Sequence, residues 1–377
     1  MRIALVTDCY LPQVGGIEMQ VAQLAAHLKA AGHDPEVITP TPGDAVVDGI
    51  AVTRLDASML PWRIPASPKT FRALRAALRD GRFDVVHAHS GVVSPFAFAA
   101  TYHAQSLGLP AVVTSHCIWS KADTVFAAFD RIFHWSSWPV VFSGVSEVAA
   151  SELRSVMPAS RHSGVRIIPN GIDPQQWVVT PAPHEPVTFV SVMRLARRKR
   201  PVPLIRMFAK GLAHMNAPAK LVIIGDGAQR ARVEWMIRKH KLEHHVELLG
   251  RLEQDKILEV YARSDVFVAP GNMESFGIAA LEARTAGLPV IAKRRAGICE
   301  FIANDKEGVL VQSDREMATA MARLANDAPR RARIAKHNRR VRPIVNWDRV
   351  VQINVDAYTE ASERRGSGGG DTSTATV

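Results

Sequence analysis

The chain has 377 residues, of which 47% are apolar and 22% charged, and its formal net charge is +11. This length is too great for one ordinary core and fits about two domains of ~150–200 residues each, with the composition of a soluble globular protein. Cys9, Cys117 and Cys299 are odd in number, far apart and outside any Cys-x-x-Cys. That argues against a disulfide framework or a zinc knuckle and leaves each as a small buried hydrophobe.

No stretch approaches the ~18–20 apolar residues of a spanning helix. The opening apolar run stops at Asp8, short of a signal-peptide core. The expected location is the cytoplasm, with peripheral attachment to the inner face of the plasma membrane as an option. The basic excess asks for an anionic partner, either a nucleoside diphosphate, an anionic membrane or a nucleic acid.

Residues 2–7 form a near-continuous apolar run, as a strand buried on both faces requires. A loop from Asp8 to Gly16, a helix over 17–31 closed by Gly32, and a strand over 36–39 follow. That β-α-β order implies a parallel sheet. The alternation continues with a strand over 84–89, a helix over 91–106, and strands over 111–115, 140–145 and 165–168. A turn cluster at 169–174 leads to three prolines within 181–186, a stiff linker and a domain boundary. The pattern then restarts, with strands expected over 187–192, 221–224, 246–249, 266–269 and 289–292. The Gly/Ser/Thr-rich end of the chain is expected to be disordered.

The most specific stretch runs from Pro270 to Val290. A strand ends in a loop carrying Glu274, a helix starts near Ser275–Gly277, and Glu282 lies in its first turns. Free amides at Phe276, Gly277 and Ile278 suit an anion. Glu274 and Glu282, eight residues apart, differ by ~80° on an ideal helix and can face one ligand at different depths. The grouping suits a nucleotide sugar, with phosphate on amides and hydroxyls on carboxylates. A plain amphipathic helix with a solvated Glu282 is the alternative.

Here the chain resembles the Glu-x7-Glu signature of retaining family 4 glycosyltransferases of the GT-B fold, and the resemblance runs from the first strand to about Tyr358. It implies an α/β architecture of two facing Rossmann-like domains with the donor in the cleft between them. The implied division is 1–172 as the acceptor domain, 173–186 as linker and 187–345 as the nucleotide-sugar domain. A helix over 346–363 returns to the first domain, and 364–377 is a disordered tail.

The resemblance also implies roles. Glu274 contacts the donor sugar, Glu282 the ribose hydroxyls, and the amides of Phe276, Gly277 and Ile278 the sugar and diphosphate. Arg194 and Lys199 match a basic pair on the diphosphate, with Met193 and Arg200 standing where glycines are usual. Arg197, Arg198 and Arg200 read as a solvated basic run. Gly225, in Gly-Asp-Gly, lies near the nucleotide, and Arg251 in a loop that reads the base. Gly15 and Gly16 form a glycine loop before a helix, favourable to anions. His116, at the carboxyl end of a strand, sits where α/β ligands bind and matches a histidine beside the sugar. Glu300, in a loop resembling Gly-Gly-x-x-Glu, reads equally well as structural.

His87 and His89 point to one side of a strand, but no third ligand is near in sequence and no Asp-x-Asp occurs. No cofactor and no metal are expected. The implied reaction moves a hexose, from GDP-mannose or UDP-glucose by preference, to a hydroxyl of a glycan or lipid-linked acceptor with retention of configuration. A basic amphipathic segment after Trp62 (Lys69, Arg72, Arg75 and Arg79 around Phe71, Leu74 and Leu78) suits an anionic membrane. Trp119, Phe126, Phe129, Phe133, Trp135 and Trp138 add an aromatic stretch, and core packing is the rival account of it. A dehydrogenase would need Gly-x-Gly-x-x-Gly after a strand, which is missing. A nucleic-acid partner is not expected, since no recognised module is present. An inactive glycosyltransferase-like partner would not need Glu274, Glu282, Arg194, Lys199 and His116 together.

Overall fold

Successive side chains of a strand point to opposite faces, and in the first strand neither face meets water. Ile3 and Leu5 pack into one core cluster, Ala4 and Val6 into another. The computed structural model describes all residues except 57–58, 61–63, 66, 92–93, 119–125, 127–129 and 368–377. It divides the chain into two units, Met1–Gly171 with Val345–Val377, and Ile172–Ile344.

The first unit contains β1 (Arg2–Thr7), α1 (Gly16–Ala30), β2 (Asp34–Thr39), β3 (Val46–Val47) and β4 (Ile50–Arg54). A small pair, β5 (Met59–Leu60) and β6 (Ile64–Pro65), precedes α2 (Pro68–Asp80). Then come β7 (Val85–Ser90), α3 (Pro95–Leu107), β8 (Ala111–Ser115), β9 (Val141–Gly144), α4 (Glu147–Ser155) and β10 (Val165–Ile167). The main sheet has the order β10-β9-β8-β7-β1-β2-β4-β3. Its pairings are parallel except β3 with β4. The chain builds outward from β1 in one direction and then, from β7, in the other. Between β1 and β7 the direction reverses, the place where open α/β sheets bind ligands.

The β3–β4 hairpin is absent from the sequence reading, although its signal is there. Asp48-Gly49 joins the strands with φ of 50° and 75°, the two left-handed positions of a tight hairpin turn. The helix expected over 91–106 starts later, at Pro95. Before it, the Gly91 amide bonds the Ser94 hydroxyl at 2.7 Å.

The second unit repeats the scheme with β11 (Val187–Val192), α5 (Pro201–Leu212), β12 (Ala219–Ile224), α6 (Arg230–Lys239), β13 (Val246–Gly250) and α7 (Gln254–Ala262). It continues with β14 (Val266–Ala269), α8 (Ile278–Thr285), β15 (Val290–Lys293), β16 (Gly308–Val311), α9 (Asp314–Asn326) and α10 (Ala328–Arg340). The all-parallel order β13-β12-β11-β14-β15-β16 reverses between β11 and β14. Residues 173–186 are bonded to this unit. Ala182 N donates to Ala262 O at 2.8 Å, and His184 Nε2 lies 3.0 Å from an Asp265 carboxylate oxygen.

The last helix, α11 (Trp347–Ser367), packs in the first unit. Its Trp347, Val350, Tyr358 and Ala361 join the cluster of Ile3, Leu5, Val85 and Val112. The tail, expected to be disordered from residue 364, is helical through Ser367, and the remaining residues lie outside those described. No helix among the described residues is long and apolar enough to cross a membrane.

Tyr358 anchors a chain of buried polar groups whose directions can be worked out. Ser143 Oγ donates to Val113 O at 3.1 Å, so it accepts from Thr114 Oγ1 at 2.7 Å. Thr114 therefore accepts from His87 Nε2 at 2.7 Å, and His87 Nδ1 accepts from the Tyr358 hydroxyl at 2.9 Å. Tyr358→Phe leaves His87 Nδ1 buried and unpaired. It should cost about 1–3 kcal/mol in urea unfolding without changing the slope of the transition.

Candidate functional site

The residues singled out in the second half converge on the carboxyl edge of its sheet. Past β11 the backbone keeps bonding as if the strand went on. Met193 N donates to Ile224 O and Leu195 N to Asp226 O, both at 2.9 Å. This close approach explains the glycines of Gly225-Asp226-Gly227. Both have positive φ, and a Cβ on Gly225 would collide with the Met193 carbonyl oxygen. Met193, where a glycine is usual, turns into the core, while Arg194 beside it is exposed. Gly225 N also donates to Gly250 O at 2.6 Å, which brings exposed Arg251 next to the same turn.

Lys199 and Glu274 meet across the reversal between β11 and β14. Lys199 Nζ donates to Glu274 Oε1 at 2.8 Å and Oε2 at 2.6 Å, and both side chains are partly exposed. Arg200 departs from the reading of a solvated basic run. It adopts φ 61°, ψ 43° at the start of α5, a left-handed conformation costing a non-glycine residue about 1–2 kcal/mol. Its guanidinium grips Asp314 with both terminal nitrogens, at 2.8 and 2.7 Å, and also reaches Asn272 Oδ1. Buried Lys293 donates to the same carboxylate at 2.8 Å. The Arg200 and Lys293 bonds hold the Asp314 carboxyl well below the usual carboxylate range. The sequence signal for Asp314 is the Ser313-x-x-Glu316 capping box that opens α9, where Ser313 Oγ accepts from Glu316 N at 3.1 Å.

Glu274 is not on the helix, so the ~80° relation to Glu282 expected of an ideal helix does not apply. Helix α8 begins at Ile278 with Gly277 as its cap, at φ +90°. A Cβ there would strike Ile298, and Gly297 N closes the other side by donating to Glu274 O at 2.8 Å. The α8 ladder begins with Ala280 and Leu281 donating to Gly277 O, leaving the amides of Phe276, Gly277 and Ile278 outside it. The Phe276 side chain is buried against Phe301. Glu282 retains partial exposure, yet the surrounding protein withholds enough solvent to push its carboxyl up to about 8. Burial, with a smaller contribution from the Glu282 charge, raises the hydroxyl of Tyr261. Glu300 lies in the exposed end of the turn Gly297–Glu300.

In the first unit His116 follows β8 and is buried. Its Nε2 lies 3.0 Å from His89 Nδ1, and the Asn170 side chain partly offsets the effect of burial on its imidazole. Burial lowers the His116 imidazole to about 4 and His87 to about 3, so both are neutral near pH 7. Sequence reasoning misses His89 as the partner of His116, because residues this far apart along the chain meet only through the sheet. Gly15 and Gly16 open α1. The Glu18 carboxylate of its first turn lies against Gly15, while the space around Gly16 is open.

On α2, Leu74 and Leu78 are buried in the core, and the basic residues Lys69, Arg72, Arg75 and Arg79 lie outside it. Its apolar stripe is thus consumed by packing and does not form a membrane-inserting face. Trp135 and Trp138 are buried, Phe126 is partly buried and Phe133 exposed; Trp62, Trp119 and Phe129 lie outside the described residues. Of the cysteines Cys117 is buried, and Cys9 and Cys299 are partly exposed. No cluster of three or more potential metal ligands occurs among the described residues.

Chemically, the second unit offers cations, amides outside the α8 ladder and carboxylates along one sheet edge. These are groups that neutralise phosphate and accept from hydroxyls. Comparison with known proteins points the same way. Residues 14–176 match the family model described as Glycosyltransferase Family 4, and residues 175–341 that described as Glycosyl transferases group 1. A phosphatidylinositol N-acetylglucosaminyltransferase subunit from Arabidopsis thaliana is 25% identical over 372 residues, covering 96% of this chain and 82% of the relative. A glycogen synthase of Mycobacterium tuberculosis is 29% identical, covering 96% and 95%. Among solved structures, Anabaena Alr3699/HepE in complex with UDP and glucose has a TM-score of 0.78 at 17% identity, covering 95% of this chain and 99% of that one. A sucrose-phosphate synthase from Thermosynechococcus elongatus has a TM-score of 0.74 at 20% identity, covering 95% and 98%. This chain belongs to the family 4 glycosyltransferases of the GT-B type.

Proposed function

We propose that the protein transfers a hexose from a nucleoside-diphosphate sugar to a hydroxyl acceptor, with retention of configuration and without a metal. The observation that carries this is the Lys199–Glu274 pair, with exposed Arg194 following the neighbouring strand β11 and the amides of Phe276 to Ile278 lying outside the α8 ladder. Arg194 and Lys199 neutralise the departing diphosphate, Arg in two-point fashion and Lys as a point charge. Glu274 and His116 position the sugar. Glu282 anchors the ribose, and a carboxyl pushed up to about 8 can donate as well as accept there. Gly225 and Arg251 flank the nucleotide, and Gly15 and Gly16 its phosphates.

Uridine is favoured over guanosine as the base. The support is the structural neighbour in complex with UDP and the relatives named for N-acetylglucosaminyl transfer. The acceptor is lipid-linked, supported by the relatives named for phosphatidylinositol and by the cations that α2 keeps outside the core. Because the leucines of α2 are spent on the core, attachment to the cytoplasmic face of a membrane is electrostatic, at ~1 kcal/mol per basic residue near the surface.

Three measurements test this reading. UDP at 100 times its Kd should stabilise the protein by ~2.7 kcal/mol, several degrees of melting temperature. GDP and ADP should do less, and Arg194→Ala should lose the shift; no shift with any nucleotide overturns the assignment. For Glu282, the folded protein binds the proton more tightly than the unfolded chain. Its contribution to stability is present below the usual carboxylate range and is lost as pH rises towards about 8. Ligand-free Glu282→Gln should therefore melt with a shallower pH dependence between about 5 and 8 than wild type. Finally, co-sedimentation with anionic vesicles should fall on raising salt and in Arg72→Glu with Arg75→Glu; equal binding to neutral vesicles would defeat the membrane assignment.

A further inference from the structure

The loop that carries Glu274 is tied to its neighbours in two ways, and the proposed chemistry loosens one of them. Lys199 Nζ donates to both Glu274 carboxylate oxygens, at 2.8 and 2.6 Å. A diphosphate that engages Lys199 competes for the same ammonium. Glu274 then has oxygens free to accept from sugar hydroxyls, but its side chain has lost its hold across the reversal between β11 and β14.

The other tie starts one residue further along, at Arg200, whose side chain is 20% exposed. Its Nη1 and Nη2 donate to the two oxygens of Asp314, at 2.8 and 2.7 Å. That two-point contact fixes the guanidinium plane, and buried Lys293 holds the same carboxylate at 2.8 Å. So oriented, Nη1 also lies 3.0 Å from Asn272 Oδ1 and 3.3 Å from Pro270 O. Pro270 and Asn272 open the Glu274 loop. Gly271 between them lies against the Glu274 carboxylate, where an added Cβ would stand 3.6 Å from Oε2. Beyond the carboxylate, Gly297 N donates to Glu274 O at 2.8 Å. None of these bonds involves Lys199.

We propose that Arg200 is a positioning residue, which pins the start of the Glu274 loop to Asp314 and so keeps Glu274 in place when a nucleoside diphosphate engages Lys199. The effect on donor binding rests on the assignment of Lys199 and Glu274 to the donor, whereas the pinning does not. Arg200 stands where a glycine is usual, and Arg200→Gly removes the tie while accepting φ 61° without strain.

The Gly297 amide, bonded to Glu274 O, reports on the loop by hydrogen exchange in ligand-free full-length protein. Arg200→Gly should speed its exchange about tenfold, as the loss of a loop-holding bond predicts, with the amides of β14 unchanged. Lys199→Ala should leave it close to wild type. Asn272→Ala should speed it in part, and Asn272→Asp, which keeps an acceptor for Arg200, should not. Exchange indifferent to Arg200→Gly, or raised as much by Lys199→Ala, overturns the proposal. If Arg200→Gly does not fold, the two Asn272 variants still decide. Calorimetry with UDP and UDP-glucose then tests the consequence. Arg200→Gly should weaken UDP-glucose about tenfold and leave UDP near wild type, while Lys199→Ala should weaken both alike. Equal weakening of the two ligands by Arg200→Gly, or none, overturns the positioning role. A wild type that binds neither ligand counts against the donor assignment and leaves Gly297 exchange to judge the pinning.

Discussion

A parallel sheet delivers every strand's carboxyl end to the same edge, and the rest of the site depends on that constraint. Where the winding direction reverses, two neighbouring strands send their following loops to opposite faces, and the ground between them stays open. In the second unit the reversal lies between β11 and β14. Lys199 arrives from one side and Glu274 from the other, and they meet as an ion pair. In the first unit the reversal between β1 and β7 places the Gly15–Gly16 loop after one strand and the histidine strand in the other.

On that edge the backbone is arranged closely, and side chains compensate where a residue departs from the usual type. Gly225 and Gly227 let two loops bond as if they were strands. Arg200 holds a left-handed conformation that a glycine would take without cost, and its two-point grip on Asp314 offsets the strain. Lys293, otherwise a buried cation, shares that carboxylate. A position that looks like a lapse in sequence is thus a substitution with its own support.

Much of the fold is legible because strands buried on both faces are apolar without interruption. Residues 3–6 and 266–269 carry that mark, 187–192 carries it with Thr188 and Ser191 interspersed, and strands occupy 2–7, 187–192 and 266–269. The loops with Glu274 and Lys199 are legible by resemblance, but their pairing is not, since 75 residues separate them. The helical relation expected of Glu274 and Glu282 fails because the chain ahead of Gly277 stays a loop until that glycine takes positive φ. In sequence His87 and His89 look like a matched pair. Their environments differ: His87 has a partner on each nitrogen, and His89 Nε2 is buried without one among the described residues. Such distinctions come from which strands are neighbours, and no single segment records that.

The placement of α11 has a consequence for the order in which the molecule can be made. Trp347, Tyr358 and Ala361 fill the core beneath β1, β7 and β8, yet they leave the ribosome after the whole of the second unit. Until they emerge, Val85 and Val112 lack part of their cover, and His87 lacks the hydroxyl that caps its Nδ1. The second unit, by contrast, is one unbroken stretch of chain from Ile172 to Ile344. The half synthesised first is therefore the half completed last, and an interrupted chain would leave uncovered the part of the apolar face that α11 occupies over β7 and β8.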